Sequence, residues 1–260
     1  MSSNEKAVIV TGGTRGIGRG IVKGFHDAGY RVLVCARRAP DAPIVDGERE
    51  ALFMAADVRD PEQVDAVVAR AQEAFGRLDV LINNAGGTPV SDVQTASPRF
   101  HRSIVDLNLL APLTFSVAAN RVMQPQPQGG SIVFISSVAA AFPETQAVSY
   151  AAAKAGIDAL SVGLAKALAP KVRVNTVTVG LVATPDSAQF YTEDADTNVA
   201  KLIPMQRMGT AADVANACLM LCDAERASYI TGANLACHGG RQPPWVGGAD
   251  DDERRRPRAA

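Results

Sequence analysis

Tyr150 and Lys154 stand four residues apart in the alanine-rich segment YAAAK. Residues at this spacing on a helix project from one face about one turn apart, so both side chains can act on one ligand. A phenol has a reference pKa of about 10, and a neighbouring ammonium favours its charged form and lowers that pKa. Tyr150 could then exchange a proton near neutral pH. Taken alone, the pair also fits a surface tyrosine beside an ordinary helical lysine.

A second candidate site is the glycine loop VIVTGGTRGIG, Val8 to Gly18. Gly12, Gly16 and Gly18 would let the chain turn tightly, approach a pyrophosphate and pack a helix on a sheet. At the carboxyl end of a parallel strand, a helix N-terminus offers free amides and a positive dipole end to a phosphate. A tight turn without a ligand would need the same glycines, so this pattern is weak on its own.

The elements that must position these residues are short apolar runs alternating with longer amphipathic segments. Apolar strands separated by helix-length crossovers indicate a parallel sheet that is covered on both sides. Helical patterns run over Gly16–Ala28, over Pro61–Phe75 after the cap-like Asp60, and over Ser149–Leu168. Seven runs are candidate strands: 7–11, 31–35, 51–56, 78–83, 131–136, 172–177 and 234–237.

Two irregular stretches interrupt this alternation. Residues 122–131 are interpreted as a surface loop, and residues 181–205 as a movable lid over a substrate pocket. Beyond Gly240 the prolines, glycines and charge blocks do not suggest a packed core. We therefore predict one domain over residues 1–240, which includes the lid, and a tail over 241–260. One hypothesis is that Trp245 packs the tail onto its own or a neighbouring subunit; disorder is the alternative.

Composition narrows the class of partner. The 260 residues are 47% hydrophobic and 20% charged, which is enough for one substantial core. With 26 basic and 27 acidic side chains, no overall field favours nucleic acid or an anionic membrane, so we expect a small-molecule partner. No signal-peptide or membrane-span pattern is recognised, which predicts a cytoplasmic location. The four cysteines lack metal-ligand spacing and are interpreted as reduced thiols, with no metal site predicted: Cys35, Cys218, Cys222 and Cys237.

The glycine loop TGGTRGIG resembles the T-G-x-x-x-G-x-G signature of short-chain dehydrogenases/reductases. Six further segments occur in the order typical of that family: ADV (56–58), NNAG (83–86), VDLNLLAP (105–112), ISSVAA (135–140), YAAAK (150–154) and YITGANL (229–235). The resemblance covers about residues 5 to 240. It implies an α/β, single-domain, doubly wound Rossmann fold with a seven-stranded parallel sheet, and assembly as a homotetramer.

The resemblance implies a catalytic set of four residues. Tyr150 would move a proton while a hydride passes between a nicotinamide and a carbonyl or secondary alcohol carbon. Ser137, thirteen residues before Tyr150, matches the family's spacing for the serine that hydrogen-bonds the reacting oxygen. Asn108 resembles the asparagine that kinks a helix and holds a water connected to the lysine. Lys154 would also hold the nicotinamide ribose.

The resemblance also implies cofactor contacts. Asp57 and the Val58 amide would meet the adenine, and the backbone of residues 84–86 would meet the adenosine ribose. The Val182 amide and Thr184 would meet the carboxamide and the pyrophosphate. The full predicted set is Gly12, Arg15, Gly16, Ile17, Gly18, Arg37, Asp57, Val58, Asn84, Ala85, Gly86, Tyr150, Lys154, Gly180, Val182 and Thr184.

The end of the second strand predicts which nicotinamide cofactor binds. An acidic residue there accepts hydrogen bonds from the ribose of NAD and would repel a 2′-phosphate. Ala36 takes that place here, and Arg37 and Arg38 follow it. Arg15 and Arg37 could converge on a 2′-phosphate, each with a planar fork suited to its oxygens. We therefore predict NADP(H), with NAD(H) as the alternative.

Several alternatives stay open from sequence. The pattern also resembles 3-oxoacyl thioester reductases, and a non-catalytic nucleotide-sensing scaffold can share the fold. Phe190, Tyr191 and Leu202 of the lid suggest an apolar pocket wall and hence a hydrophobic carbonyl substrate. Val179 stands where the family commonly has proline, and weaker ordering of the cofactor loop is expected. The three histidines fit no catalytic spacing and are interpreted as ordinary residues: His26, His101 and His238.

Overall fold

The computed structural model describes residues 5–45, 50–185, 200–201 and 203–240. Its strands are β1 (Ala7–Thr11), β2 (Arg31–Ala36), β3 (Leu52–Ala55), β4 (Val80–Asn83), β5 (Gly130–Ser137), β6 (Val172–Val179) and β7 (Asn234–Cys237). They form one parallel sheet in the order β3-β2-β1-β4-β5-β6-β7. The strand order reverses between β1 and β4, and a doubly wound sheet binds its ligand in the crevice at that point.

Helices cover both faces of the sheet. They are α1 (Gly16–Asp27), α2 (Pro61–Phe75), α3 (Pro98–Val105), a π-helical turn (Asp106–Leu110), α4 (Ala111–Met123), a 3-10 turn (Val138–Ala140), α5 (Val148–Leu168) and α6 (Ala211–Cys222). One buried cluster joins the sheet to α1 and α6, and a second joins it to α2, α4 and α5. Each crossover therefore delivers the next strand end to the same edge of the sheet.

The burial of β1 explains why the fold can be recognised from sequence. All five of its residues are buried. Val8 and Val10 belong to the cluster with α1 and α6, whereas Ile9 between them belongs to the cluster with α2, α4 and α5. Successive side chains of a strand point to opposite faces, so a strand covered on both sides is an unbroken apolar run.

The predicted seven-stranded sheet is confirmed, with differences at the strand ends. Strands β1 and β7 have the predicted bounds, while β5 and β6 continue to Ser137 and Val179. Helix α2 also has its predicted bounds, because the Asp60 side chain accepts hydrogen bonds from two amides of its first turn. Gly76 ends the same helix at φ 72°, a conformation that glycine adopts without strain.

Residues 98–123 form a continuous helical stretch that is long and apolar enough, by length and composition, to cross a membrane. An 18-residue segment of this stretch has a mean hydropathy of 1.2, and 44% of that segment is buried. Phe115 and Met123 are buried in the core against the sheet. We therefore interpret this stretch as a core helix of the fold.

Two predictions fall on residues outside the described ranges. Residues 241–260, with Trp245, and most of the lid, with Phe190, Tyr191 and Leu202, are among them. The lid, the tail and the division at residue 240 therefore stay predictions. All four cysteines lie within the described ranges and are free thiols.

Candidate active site

Strand β5 and helix α5 bring the tyrosine, the lysine and the serine together. Ser137 ends β5, and Tyr150 lies in the first turn of α5. The Ser137 side chain lies close enough to the Tyr150 hydroxyl to lower its pKa. The Lys154 Nζ lies 5.5 Å from the centroid of the Tyr150 ring and donates a hydrogen bond to the Ile135 carbonyl at 2.8 Å. A phenol, a hydroxyl and an amine thus share one edge of the sheet.

Burial is the largest cause of the pKa shifts of Tyr150 and Lys154. It raises the pKa of Tyr150, and the nearby Ser137 side chain opposes that rise. Burial also lowers the pKa of Lys154 to about 8, against the charge of Asp158 one helical turn away, which raises it. The expected lowering of the Tyr150 pKa is therefore not produced by the protein's own groups, because desolvation of the phenolate outweighs them.

Asn108 sits in the π-helical turn and is fully buried. Its Nδ2 donates to the carbonyls of Ile104, at 2.9 Å, and Gly87, at 3.0 Å. Its Oδ1 accepts from the Gly87 amide at 2.8 Å. The Asn108 side chain therefore hydrogen-bonds one carbonyl of its own helix and also holds the loop that follows β4.

Gly86 lies between Asn108 and Lys154. A Cβ atom added to this glycine would lie 2.7 Å from the Asn108 Oδ1 and 3.4 Å from the Lys154 Nζ. No carbon side chain fits so close to a buried amide oxygen without displacing it. Because Gly86 has no side chain, its backbone can lie against the Asn108 amide and close to the Lys154 amine.

The glycine loop is fixed to the same loop after β4. The Asn84 Nδ2 donates to the carbonyls of Thr11, at 2.9 Å, and Gly12, at 3.1 Å. The Thr11 Oγ1 accepts from the amides of Asn84 and Ala85, at 3.0 Å and 2.9 Å. Two of the amides predicted near the adenosine ribose are therefore used within the protein. The Asn84 side chain has a clamping role that the sequence pattern did not reveal.

The helix that follows the glycine loop begins without a side-chain cap. Arg15 occupies the N-cap position of α1 and makes no capping hydrogen bond there. Gly12 and Gly16 have φ values of 65° and 52°, in the region that favours glycine. A Cβ on Gly18 would lie 2.2 Å from the Gly12 carbonyl oxygen. Ile17, between these glycines, packs against the core cluster of α1 and α6.

The predicted adenine end contains a carboxylate that is already paired. The Asp57 side chain accepts two hydrogen bonds from the Arg59 guanidinium, at 3.0 Å and 2.5 Å. Arg59 and, more weakly, Arg37 hold the pKa of Asp57 below its usual range. The Asp57 amide donates to the Gln63 side chain at 2.9 Å. Val58 is buried, while Arg15 and Arg37 are both exposed.

The loop after β6 reaches the same edge of the sheet. The Gly180 amide donates to the Cys237 carbonyl at 3.2 Å, and a Cβ at Gly180 would lie 2.7 Å from the His238 Cβ. Val182 forms a bridge with Gly209. Thr184 follows, one residue before the end of this described range.

A pocket beside Tyr150 contains residues that sequence reasoning missed. It is a shallow, partly open depression lined by Thr88, Ser91, Val93, Phe100, His101, Gln146, Ala147, Val148, Ser149 and Tyr150. The His101 Nδ1 and the Ser149 Oγ lie 2.6 Å apart. His101, interpreted from sequence as an ordinary residue, therefore lies beside Tyr150, because α3 packs against the first turn of α5. No motif contained it; the only sequence signal is that Ser149 precedes Tyr150.

Comparison with known proteins identifies relatives along nearly the whole chain. The family model described as Enoyl-(Acyl carrier protein) reductase matches residues 12–242. A Streptomyces violaceoruber protein named as a ketoacyl reductase of the granaticin polyketide synthase is 36% identical, over 89% of this chain and 94% of that protein. The 3alpha-hydroxysteroid dehydrogenase of Mediterraneibacter gnavus is 33% identical, over 92% of this chain and 98% of that protein.

Solved structures agree with these relatives. Aldohexose dehydrogenase of Thermoplasma acidophilum, in ligand-free form, superposes with a TM-score of 0.85 at 31% identity, over 93% of this chain and 96% of that one. The structure of ElxO with NADP bound gives a TM-score of 0.82 at 28% identity, over 91% of this chain and 98% of that one.

The sheet topology and these matches define the class of the protein: an oxidoreductase that acts on alcohol or ketone groups. The chain belongs to the short-chain dehydrogenase/reductase family. Enzymes of this family bind a nicotinamide cofactor and act on small-molecule substrates.

Proposed function

We propose that this enzyme transfers a hydride between NADP(H) and the carbonyl or secondary alcohol carbon of a hydrophobic substrate. The observation that carries the proposal is the placement of Ser137 at the end of β5 beside Tyr150 in the first turn of α5, with the Lys154 Nζ 5.5 Å from the centroid of the tyrosine ring. This arrangement offers one oxygen two hydrogen-bonding hydroxyls, of which one can also exchange a proton.

The glycine loop fits a dinucleotide. Gly18 leaves room for its backbone only, and no side chain caps the N-terminus of α1. The first amides of such a helix are suited to a pyrophosphate. We propose that this loop holds the pyrophosphate and that Lys154 holds the nicotinamide ribose. The other contacts that the family pattern implies, from Asp57 to Thr184, are part of the same proposal.

The choice of NADP(H) rests on charge around the end of β2. Ala36 ends β2 where a carboxylate would favour NAD, and exposed Arg37 follows it. The nearby Asp57 carboxylate is paired with Arg59, so its charge is compensated locally. Exposed Arg15 at the start of α1 supplies a second guanidinium. A planar guanidinium matches phosphate oxygens in charge and geometry.

The mechanism assigns a task to each residue of the catalytic set. The bound cofactor supplies or accepts the hydride. The Ser137 hydroxyl hydrogen-bonds the reacting oxygen, and the Tyr150 hydroxyl gives a proton to that oxygen or takes one from it. We assign to the Lys154 ammonium the role of opposing the desolvation that raises the pKa of Tyr150. Asn108 holds the loop at Gly86 against the lysine, so that the amine stays near the phenol.

We also propose a cytoplasmic homotetramer. Exposed apolar side chains on the π-helical turn, α4 and α5 support assembly: Leu110 is 48% exposed, Val117 42% and Val162 41%. Such side chains are commonly covered when copies of a chain associate. Light scattering over a range of concentrations tests this: a mass near 27.2 kDa at all of them would contradict the tetramer.

A 3-oxoacyl thioester is the second candidate substrate. The ketoacyl name of the Streptomyces relative and the description of the family model favour it. A thioester and a free ketone present the same reacting carbonyl to Tyr150, so the catalytic set does not distinguish them.

A substrate panel tests the proposal. Purified enzyme is assayed for NADPH oxidation with ketones, 3-oxosteroids and 3-oxoacyl thioesters, and Tyr150→Phe serves as the control. We expect turnover of at least one class by the wild type and its loss in the variant. Cofactor binding without any turnover would favour the nucleotide-sensing scaffold.

A further inference from the structure

A link between α3 and α5 lies beside the proposed catalytic tyrosine. The His101 Nδ1 and the Ser149 Oγ are 2.6 Å apart, and the hydrogen bond is partly buried. Ser149 immediately precedes Tyr150 in the first turn of α5. Both partners line the pocket that Tyr150 also lines. The His101–Ser149 hydrogen bond therefore restrains the first turn of α5, which contains Tyr150.

The start of α5 has little other side-chain support. Its N-cap residue is Ala147, which makes no capping hydrogen bond, and the first turn contains no acidic residue. The first amides of a helix lack partners within the helix, so an uncapped first turn opens readily. Backbone hydrogen bonds to the preceding loop remain: the Ala147 amide donates to Glu144, and the Ser91 amide donates to Gln146.

Helix α3, by contrast, begins at a well-formed cap. The Ser97 side chain accepts from the Phe100 amide, and proline follows at the first helical position. The Phe100 and His101 rings also meet edge to face, with centroids 5.7 Å apart. His101 therefore projects from α3, whose N-terminus is capped, toward α5, whose N-terminus has no side-chain cap.

We propose that His101 is a positioning residue for Tyr150. Through Ser149 it holds the first turn of α5, and so keeps the phenol beside Ser137. His101 contacts neither the reacting atoms nor the cofactor in this assignment. The inference rests on the proposed function, because positioning matters only if Tyr150 is the proton-transfer group.

Three variants separate the hydrogen bond from general packing. His101→Leu removes the bond but keeps a side chain of moderate size. His101→Asn keeps a polar atom near the place of Nδ1 and can still bond Ser149. Ser149→Ala removes the other partner. Arg102→Ala, an exposed neighbour on α3, is the matched control.

We expect His101→Leu and Ser149→Ala each to lower kcat roughly fivefold to tenfold, the size that loss of one neutral hydrogen bond produces. The double variant should lose no more than either single variant, since both remove the same bond. His101→Asn should retain most of the wild-type kcat. KM for the cofactor and its Kd should stay unchanged in all of them.

Hydrogen exchange gives a readout that needs no turnover. The amides of residues 148–151 should exchange faster in His101→Leu than in His101→Asn or Arg102→Ala. The proposal is overturned if exchange in this turn is equal in all three, or if His101→Asn loses as much kcat as His101→Leu. A wild type without turnover would contradict the proposed function, while the exchange result would still test the link.

Discussion

Replacing Arg37 with aspartate should reverse the preference for NADPH over NADH. Arg37 is exposed just after β2, and its charge reaches the Asp57 carboxylate. Arg59 already holds that carboxylate with two hydrogen bonds, at 3.0 Å and 2.5 Å. The Arg37 side chain is therefore not required to neutralise Asp57. Its positive charge is available for a 2′-phosphate.

The expected magnitude follows from exposure. A hydrogen bond to a charged group contributes roughly 1.5 to 3 kcal/mol, and solvent screening favours the lower end at an exposed side chain. Since 1.4 kcal/mol is tenfold, Arg37 should supply about a tenfold preference. The aspartate removes this attraction and adds a repulsion of similar size. The ratio of kcat/KM for NADPH to that for NADH should therefore fall about a hundredfold.

The assay measures kcat/KM for both cofactors at one fixed ionic strength, with Arg38→Asp as the control. Arg38 is also exposed and lies one residue further along the chain, so it reports the effect of net charge alone. A higher salt concentration should reduce the preference of the wild type. A wild type that prefers NADH, or equal shifts in the two variants, would refute the reasoning.

Three further predictions concern the catalytic set. Tyr150→Phe should keep the fold and cofactor binding but lower kcat by orders of magnitude, because only the proton-transfer hydroxyl is lost; activity within tenfold of wild type would contradict the role. Gly86→Ala should displace Asn108, whose Oδ1 lies 2.7 Å from the added Cβ, and lower kcat more than it lowers thermal stability; normal kinetics would show that Asn108 and Lys154 act separately. Asp158→Asn should lower the pKa of Lys154 below its present value of about 8, because the carboxylate charge now raises it. The basic limb of the kcat/KM profile, measured from pH 6 to pH 10, should then move to lower pH, and an unmoved limb would rule out that coupling.

The sign of the lysine's effect on stability can be worked out in the same way. Burial lowers the pKa of folded Lys154 to about 8, while a lysine in an unfolded chain has a pKa of about 10.4. Between these values the unfolded chain binds more protons, so this group makes stability rise with pH across that window. Below pH 8 the buried ammonium carries its full desolvation penalty. The fold therefore tolerates a destabilising group at the place where the proposed chemistry needs a charge.

The strands of the sheet could be predicted because each one is marked by residues that are adjacent in the sequence. Strand β1 is apolar on both faces, and the cap at Asp60 marks the start of α2 within one residue. The ends of β5 and β6 were placed too early, at Ser136 and Val177. Ser137 is polar and Val179 directly precedes Gly180, so both look like strand ends. Only the pairing of β5 with β6 extends the strands to these residues. The hydrophobic pattern of a single strand gives no information about its pairing with a neighbouring strand.

The candidate site could be predicted only where family motifs mark it. The π-helical turn at Asn108 depends on hydrogen bonds to Gly87 and Ile104, and neither partner can be inferred from the residues around it. The role of Asn84 as a clamp on the glycine loop, and the bond between His101 and Ser149, likewise join segments far apart in the chain. Tertiary packing decides these contacts, and periodicity carries no information about them.

Gly86 shows how these separate contacts act together. The loop after β4 is held on one side by Thr11, which accepts the Ala85 amide, and on the other by Asn108, which bonds both backbone groups of Gly87. Gly86 lies between them, and a Cβ added to it would be in van der Waals contact with the Lys154 Nζ, at 3.4 Å. The glycine loop, the loop after β4 and the lysine are therefore in sequential contact. Because parallel strand ends meet at this edge, the loop proposed to bind phosphate and the lysine proposed to act on Tyr150 are both in contact with the loop after β4.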